Sequence, residues 1–92
     1  MSKFIKDNKF HRKEVQDQLY TEPDLLVFTE GKIYRLEGLG PVIWEATEEP
    51  QTLAKITKEV VAMVGAPPSG GAKELVVAAL EKLIEEELIA VN

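Results

Sequence analysis

The residue types that carry chemistry in most enzymes are scarce in this chain of 92 residues. His11 is the single histidine, no cysteine is present, and nothing in the sequence is spaced to pair with His11. The carboxylates Glu85 to Glu87 are consecutive, so their side chains diverge around a helix and suit neither a metal site nor an acid/base pair. These residues predict a protein that is not an enzyme and that needs no metal or cofactor.

Length and charge further restrict the class of protein that this sequence can encode. A chain this short buries only about 60 to 65% of its unfolded surface, which predicts one domain with one modest core over residues 1–92. Residues 1–13 carry a net charge of +4 and the remainder −9, within a total of −5. We expect residues 1–8 to be a flexible basic arm on an acidic body that repels a phosphate backbone. The absence of a long apolar run and of a signal sequence favours a cytoplasmic protein.

Any functional site must be positioned by strands and helices, and the predicted strands come first along the chain. Two β-rich runs, LLVFT and KIYRL, flank Glu30-Gly31 and predict a hairpin over Asp24 to Leu36. The weak alternation from Lys9 to Val15 indicates a first strand, and residues 16–23 are predicted to be a loop. The sequence thus favours a three-stranded meander.

Three helices are predicted to follow the strands. Their expected spans run from Pro41 to near Thr47, from a Thr52 cap to Gly65, and from about Ala72 to Glu87. The Pro- and Gly-rich residues 66–71 form a loop between the second and third helices. Strands followed by helices predict an α+β domain with the helices on one side of a small antiparallel sheet. Trp44 is expected in the core.

Two surfaces are candidates for peptide binding. The third helix has an apolar arc of about 200°, wider than a surface helix needs, so the excess either is wedged into the core or flanks a groove. Lys32 to Leu36 is the candidate edge strand, and an unpaired edge is a template for an incoming strand. Lys32 and Arg35 equally fit a simpler role, in which they guard the edge against aggregation.

With these residues in place, the sequence resembles the PqqD-like family of RiPP recognition elements, small domains that bind the leader segments of ribosomally made, modified peptides. Two positions depart from the family pattern. Glu37 stands where Asn or Asp is usual after the strand, and Glu87 stands where Gly usually precedes the last apolar pair. The residues that carry the resemblance are Tyr34-x-Leu36, Gly40 ahead of Val42-Ile43-Trp44, Thr52-Leu53-x-x-Ile56, and Val76, Leu80, Leu83 and Leu88-Ile89.

The resemblance implies a three-stranded antiparallel sheet packed on a winged-helix-like unit of three helices. It also implies that a leader peptide lies between the third strand and the third helix and extends the sheet. The peptide-binding residues expected on this basis are Lys32, Ile33, Tyr34, Arg35, Leu36, Lys73, Val77, Leu80, Glu81 and Ile84.

Within that family, the chain is most similar to the standalone leader-binding proteins of lasso-peptide biosynthesis. The implied partners are a precursor peptide, a separate cysteine protease that removes the leader, and a cyclase. Two alternatives stay open at this point. One is a PqqD-type peptide chaperone for a radical SAM enzyme, and the other is a winged-helix DNA-binding protein, which the acidic third helix disfavours.

Overall fold

Nine strands and helices make up the part of the chain that the structure, a computed structural model, describes, namely residues 8–92. The predicted arm therefore lies outside the described residues, except for Asn8, whose side-chain amide donates to the Asn92 carbonyl at 2.7 Å. The elements in chain order are β1 (Lys9–Arg12), β2 (Asp17–Thr21), β3 (Asp24–Thr29), β4 (Lys32–Leu36), α1 (Gly40–Ala46), β5 (Gln51–Thr52), α2 (Leu53–Val64), α3 (Ala72–Glu85) and β6 (Ile89–Val91).

The central strands form an antiparallel meander in the order β2-β3-β4. The β3–β4 hairpin is confirmed: Thr29 pairs with Lys32 across Glu30-Gly31, and Gly31 has a φ of 83°, which a glycine adopts without strain. The loop predicted over residues 16–23 is wrong, because this segment contains β2. Its polar side chains and Pro23 are typical of a loop, but backbone pairing with β3 from Asp17 to Thr21 makes it a strand.

A second antiparallel sheet has the order β5-β1-β6, so the prediction of a single three-stranded sheet is wrong. The first predicted strand exists as β1, but it pairs with β5, between α1 and α2, and with β6, after α3, instead of with the hairpin. Phe10, which is fully buried, lies opposite Gln51 on one side and Val91 on the other. These partners are remote in the sequence, so no local pattern indicates the pairing.

The helix boundaries follow from their capping residues. Thr52 accepts a hydrogen bond from the Lys55 amide at 3.3 Å and begins α2, and Gly65, with a φ of 85°, ends it, as predicted. The first helix also agrees with the prediction and is followed by Thr47. The third helix ends at Glu85, two residues before the predicted end.

The core lies where both β3 and β4 meet the helices. Trp44 is fully buried, as predicted, and its indole Nε1 donates to Oε1 of Gln18 at 2.9 Å. At Gly40, an added Cβ would lie 3.1 Å from Cβ of Leu36, so glycine allows α1 to start close against β4. The buried cluster comprises Phe10, Leu25, Val27, Leu36, Ile43, Trp44, Leu53, Ile56, Val60, Val76, Leu80, Leu83, Leu88 and Ile89.

Candidate functional site

The outer edge of β4 is an unpaired strand edge among the described residues, because β4 pairs with β3 alone. In a hairpin with a two-residue turn, the residues that flank the turn exchange both backbone hydrogen bonds, and such pairs then alternate along the ladder. Thr29 and Lys32 flank the turn here. The backbone N–H and C=O groups of Ile33 and Arg35 therefore point away from β3, toward an incoming strand.

The side chains of β4 alternate between the core and solvent. Tyr34 is half-buried against the core, and Leu36 is buried within it. On the opposite face Ile33 is 65% exposed, and Arg35 donates from Nη1 to Oδ2 of Asp24 at 2.8 Å. The ion pair lies at the surface, so it holds the orientation of Arg35 more than it stabilises the fold.

A small cavity of about 60 Å³ separates β4 from α3. This volume exceeds the roughly 10 to 15 Å³ that a single water molecule needs, so the cavity can accept a small group from a ligand. The walls carry both charge signs, with Arg35 and Lys82 against Glu37 and Glu86. The lining residues are Arg35, Leu36, Glu37, Gly40, Ala79, Lys82, Leu83 and Glu86.

The α3 residues expected from the sequence do not line this cavity. At 100° per residue, Val77 and Ile84 lie about 140° to 160° around the helix from Ala79 and Lys82, with the buried residues between the two flanks. Val77 and Ile84 are half-buried against the core, and Leu80 is fully buried, so the Leu80 side chain reaches no surface.

The remaining predicted site residues also fall into those near the cavity and those away from it. Lys32 and Lys73 are exposed, and Glu81 is half-buried on the flank of α3 away from β4. Leu36 belongs to the core and also lines the cavity. The structure thus brings Arg35 and Leu36 to the cavity, and it leaves Lys73, Val77, Leu80, Glu81 and Ile84 outside it.

Sequence reasoning missed Ala79, Lys82 and Glu86. They repeat at helical spacing, but an alanine, a lysine and a glutamate in such a row are also typical of a solvated face. No local signal in the sequence distinguishes this row from an ordinary solvated face.

An apolar patch on the outer face of the meander was also missed, because β2 was not predicted. Across this face Leu19 pairs with Leu26, and Phe28 pairs with Ile33. Leu19 is 53% exposed, and Leu26 and Phe28 are partly exposed. We call Leu19, Leu26, Phe28 and Ile33 the outer patch; it adjoins the free edge of β4.

Metal-ligand clusters and membrane-spanning helices are both absent from residues 8–92. No group of three or more His, Cys, Asp or Glu side chains within residues 8–92 is arranged to hold a metal ion. His11 is exposed on β1. Over the same residues, no helix has the length and apolar character needed to cross a membrane. On α3 and at its end, four glutamates (Glu74, Glu81, Glu85 and Glu86) outnumber the two lysines (Lys73 and Lys82), which disfavours contact with a phosphate backbone.

The fold and this site define a small α+β domain with a free strand edge beside a helix. The chain matches the family described as coenzyme PQQ synthesis protein D (PqqD) over residues 19–89, and it belongs to this family. It is accordingly a PqqD-like RiPP recognition element, as the sequence predicted. Members of the family are non-catalytic accessory proteins that bind precursor peptides and partner biosynthetic enzymes. No curated protein and no solved structure matches the chain.

Proposed function

We propose that this protein captures the leader segment of a ribosomal precursor peptide by adding it as a strand to the edge of β4. The observation that carries the proposal is the outward direction of the backbone groups of Ile33 and Arg35 next to the cavity beside α3. Backbone pairing along β4 would fix the register of the peptide, and the cavity would select the side chain that enters it.

The proposed contact surface joins the predicted residues of β4 to the cavity flank of α3. It uses the backbone of Lys32 to Leu36 and the side chains of Ala79, Lys82 and Glu86. The mixed charges of Arg35, Lys82, Glu37 and Glu86 suit a leader with polar residues of both signs around one small apolar residue. A second candidate flank, on the other side of α3, consists of Lys73, Val77, Glu81 and Ile84. Matched variants on each flank can show which of the two meets the peptide.

Leader binding needs both apolar burial and backbone pairing to be favourable. Burying two or three apolar leader side chains contributes about 1.5 to 3 kcal/mol each. This gain must exceed an association cost of at least about 4 kcal/mol, and the strand hydrogen bonds add to it. A Kd near 1 μM corresponds to about 8 kcal/mol, so apolar burial alone does not reach it and the strand hydrogen bonds must supply the rest.

The finer role that we propose is in lasso-peptide biosynthesis in the cytoplasm. There the domain would present the bound leader to a separate cysteine protease and then to a cyclase. The order of the elements supports a winged-helix-like arrangement of the three helices. A Gly- and Pro-rich loop joins α2 to α3, and β6 follows them. The main alternative is a peptide chaperone for a radical SAM enzyme, which the family's description as a coenzyme PQQ synthesis protein favours.

Fluorescence anisotropy with labelled leader peptides tests the proposal. The peptides would come from open reading frames next to the gene and would include a lasso-type leader, a PQQ-type precursor and a scrambled control. Saturable binding of the lasso-type leader supports the finer role, and binding of the PQQ-type precursor alone supports the alternative. A folded protein that binds none of them overturns leader capture.

A further inference from the structure

A second groove lies between the β2–β3 turn, α1 and α2, and it shares no lining residue with the cavity beside β4. Its volume is about 540 Å³. Five of its nine lining residues are apolar, and among them Met63 is 74% exposed. A large exposed methionine provides an adaptable apolar contact. The apolar lining residues are Pro23, Pro41, Val42, Ala46 and Met63.

Three carboxylates surround this apolar surface, one from each element that forms the groove. Glu22 comes from the β2–β3 turn, Glu45 from α1 and Glu59 from α2. The Tyr20 hydroxyl donates to Oε2 of Glu45 and fixes the direction of that carboxylate. No salt bridge within residues 8–92 neutralises any of the three. Lys55, one turn before Glu59 on α2, forms none with it.

The combination of these groups selects one kind of occupant. An apolar floor offers nothing to a hydrated metal ion, and unneutralised carboxylates at its rim disfavour an acidic or purely apolar ligand. A segment with cationic side chains next to a large apolar one matches both the apolar floor and the acidic rim. The apolar group covers Val42 and Met63, and the cations reach the carboxylates.

We propose that this acid-rimmed groove docks a basic segment of a partner protein in which a large apolar side chain stands between lysine or arginine residues. The proposal is independent of leader capture, because the groove and the cavity beside β4 have no lining residue in common. A peptide held along β4 would therefore leave the groove accessible. The domain would bind two different polypeptides at once, one through its backbone edge and the other through charge and apolar contact.

The test uses the full chain and the blocked peptide acetyl-Lys-Phe-Leu-Lys-amide as the probe, followed by amide chemical shifts. We expect saturable shifts at Val42, Glu45, Glu59 and Met63, and about a tenfold increase in Kd for the double variant Glu22→Gln/Glu59→Gln. Raising the salt concentration should weaken binding. A peptide with glutamate in place of both lysines should give no saturable shifts.

Two control variants distinguish the groove from general attraction to an acidic protein. Glu74→Gln/Glu85→Gln changes the net charge by the same amount on α3 and should keep the wild-type Kd. Met63→Ser removes apolar contact alone and should weaken binding severalfold. Equal losses in the two double variants, shifts confined to β4 and α3, or no saturable shifts in a folded wild-type chain would each overturn the proposal. Thermal unfolding of every variant verifies that it is folded.

Discussion

The backbone amide of Leu88 donates to the carbonyl of Leu83 at 2.9 Å, and both side chains are buried. The amide of Glu87 also bonds back to the Ile84 carbonyl at 2.9 Å, and Glu87 itself has a φ of 62°. This is the Schellman arrangement that ends many helices, in which the left-handed position is usually glycine. It explains why α3 stops two residues earlier than its sequence pattern predicts, and why glycine is usual at this position in the family.

The first prediction concerns this helix end. Glu87→Gly should raise the free energy of unfolding by about 0.5 to 1 kcal/mol, because glycine adopts a positive φ without the steric cost that glutamate bears. Urea unfolding measures the change. As a matched control, Glu85→Gly introduces the same residue inside the last turn of α3 and should destabilise by about 1 kcal/mol. Stabilisation by both variants would show that loss of negative charge, and not backbone geometry, is responsible.

The second prediction concerns the core face of α3. Leu80→Ala should lower the free energy of unfolding by about 2 to 5 kcal/mol, because Leu80 is fully buried and its removal leaves a cavity. Leu83→Ala should act in the same way. Leu75→Ala, at a position that is 53% exposed, is the control and should change stability by less than about 1 kcal/mol. Equal effects at Leu80 and Leu75 would contradict the burial of Leu80.

The third prediction decides which flank of α3 meets a bound leader. Ala79→Leu fills the cavity of about 60 Å³ and should weaken leader binding at least tenfold in the anisotropy titration. Ala78→Leu is the same substitution at the exposed neighbouring position, so it should leave the affinity unchanged.

Ile84→Glu tests the flank that was expected from the sequence. Because Ile84 is half-buried against the core, this variant should reduce stability, which circular dichroism would detect. A folded Ile84→Glu protein that no longer binds leader, together with unaffected binding by Ala79→Leu, would favour the sequence-based flank over the cavity flank.

The fourth prediction isolates the backbone of β4. Ile33→Pro removes one N–H that points away from β3, and proline is tolerated where an edge strand directs its N–H outward. We expect at least a tenfold loss of leader affinity with the β3–β4 pairing retained. Ile33→Ala keeps the N–H and removes most of the side chain, so a similar loss in both variants would mean that the side chain of Ile33, and not strand addition, carries the contact.

Local signals in the sequence were sufficient for several elements and insufficient for others. The hairpin at Gly31 and both ends of α2 depend on turn and capping residues that lie within a few positions of each other, so they could be predicted. The β5-β1-β6 sheet could not, because Phe10 meets residues from distant parts of the chain.

The candidate site, too, could be predicted only in part. The edge of β4 could be predicted from its position as the last strand before the helices. The flank of α3 that faces it could not, because periodicity identifies the buried residues but not which side of them turns toward β4. That rotation is determined by how α3 packs against α1 and α2, where Leu80 and Val76 are buried.

The pairing of β1 with β6 has a consequence for the order in which the molecule is assembled. All three strands of the meander lie within residues 17–36, so their hairpins close short loops and can form while the chain is still being synthesised. His11, in contrast, pairs with Ala90, and that contact joins residues that are far apart in the sequence. The meander that carries the free edge of β4 therefore closes shorter loops than the second sheet does, so we expect this edge to form before the second sheet during folding.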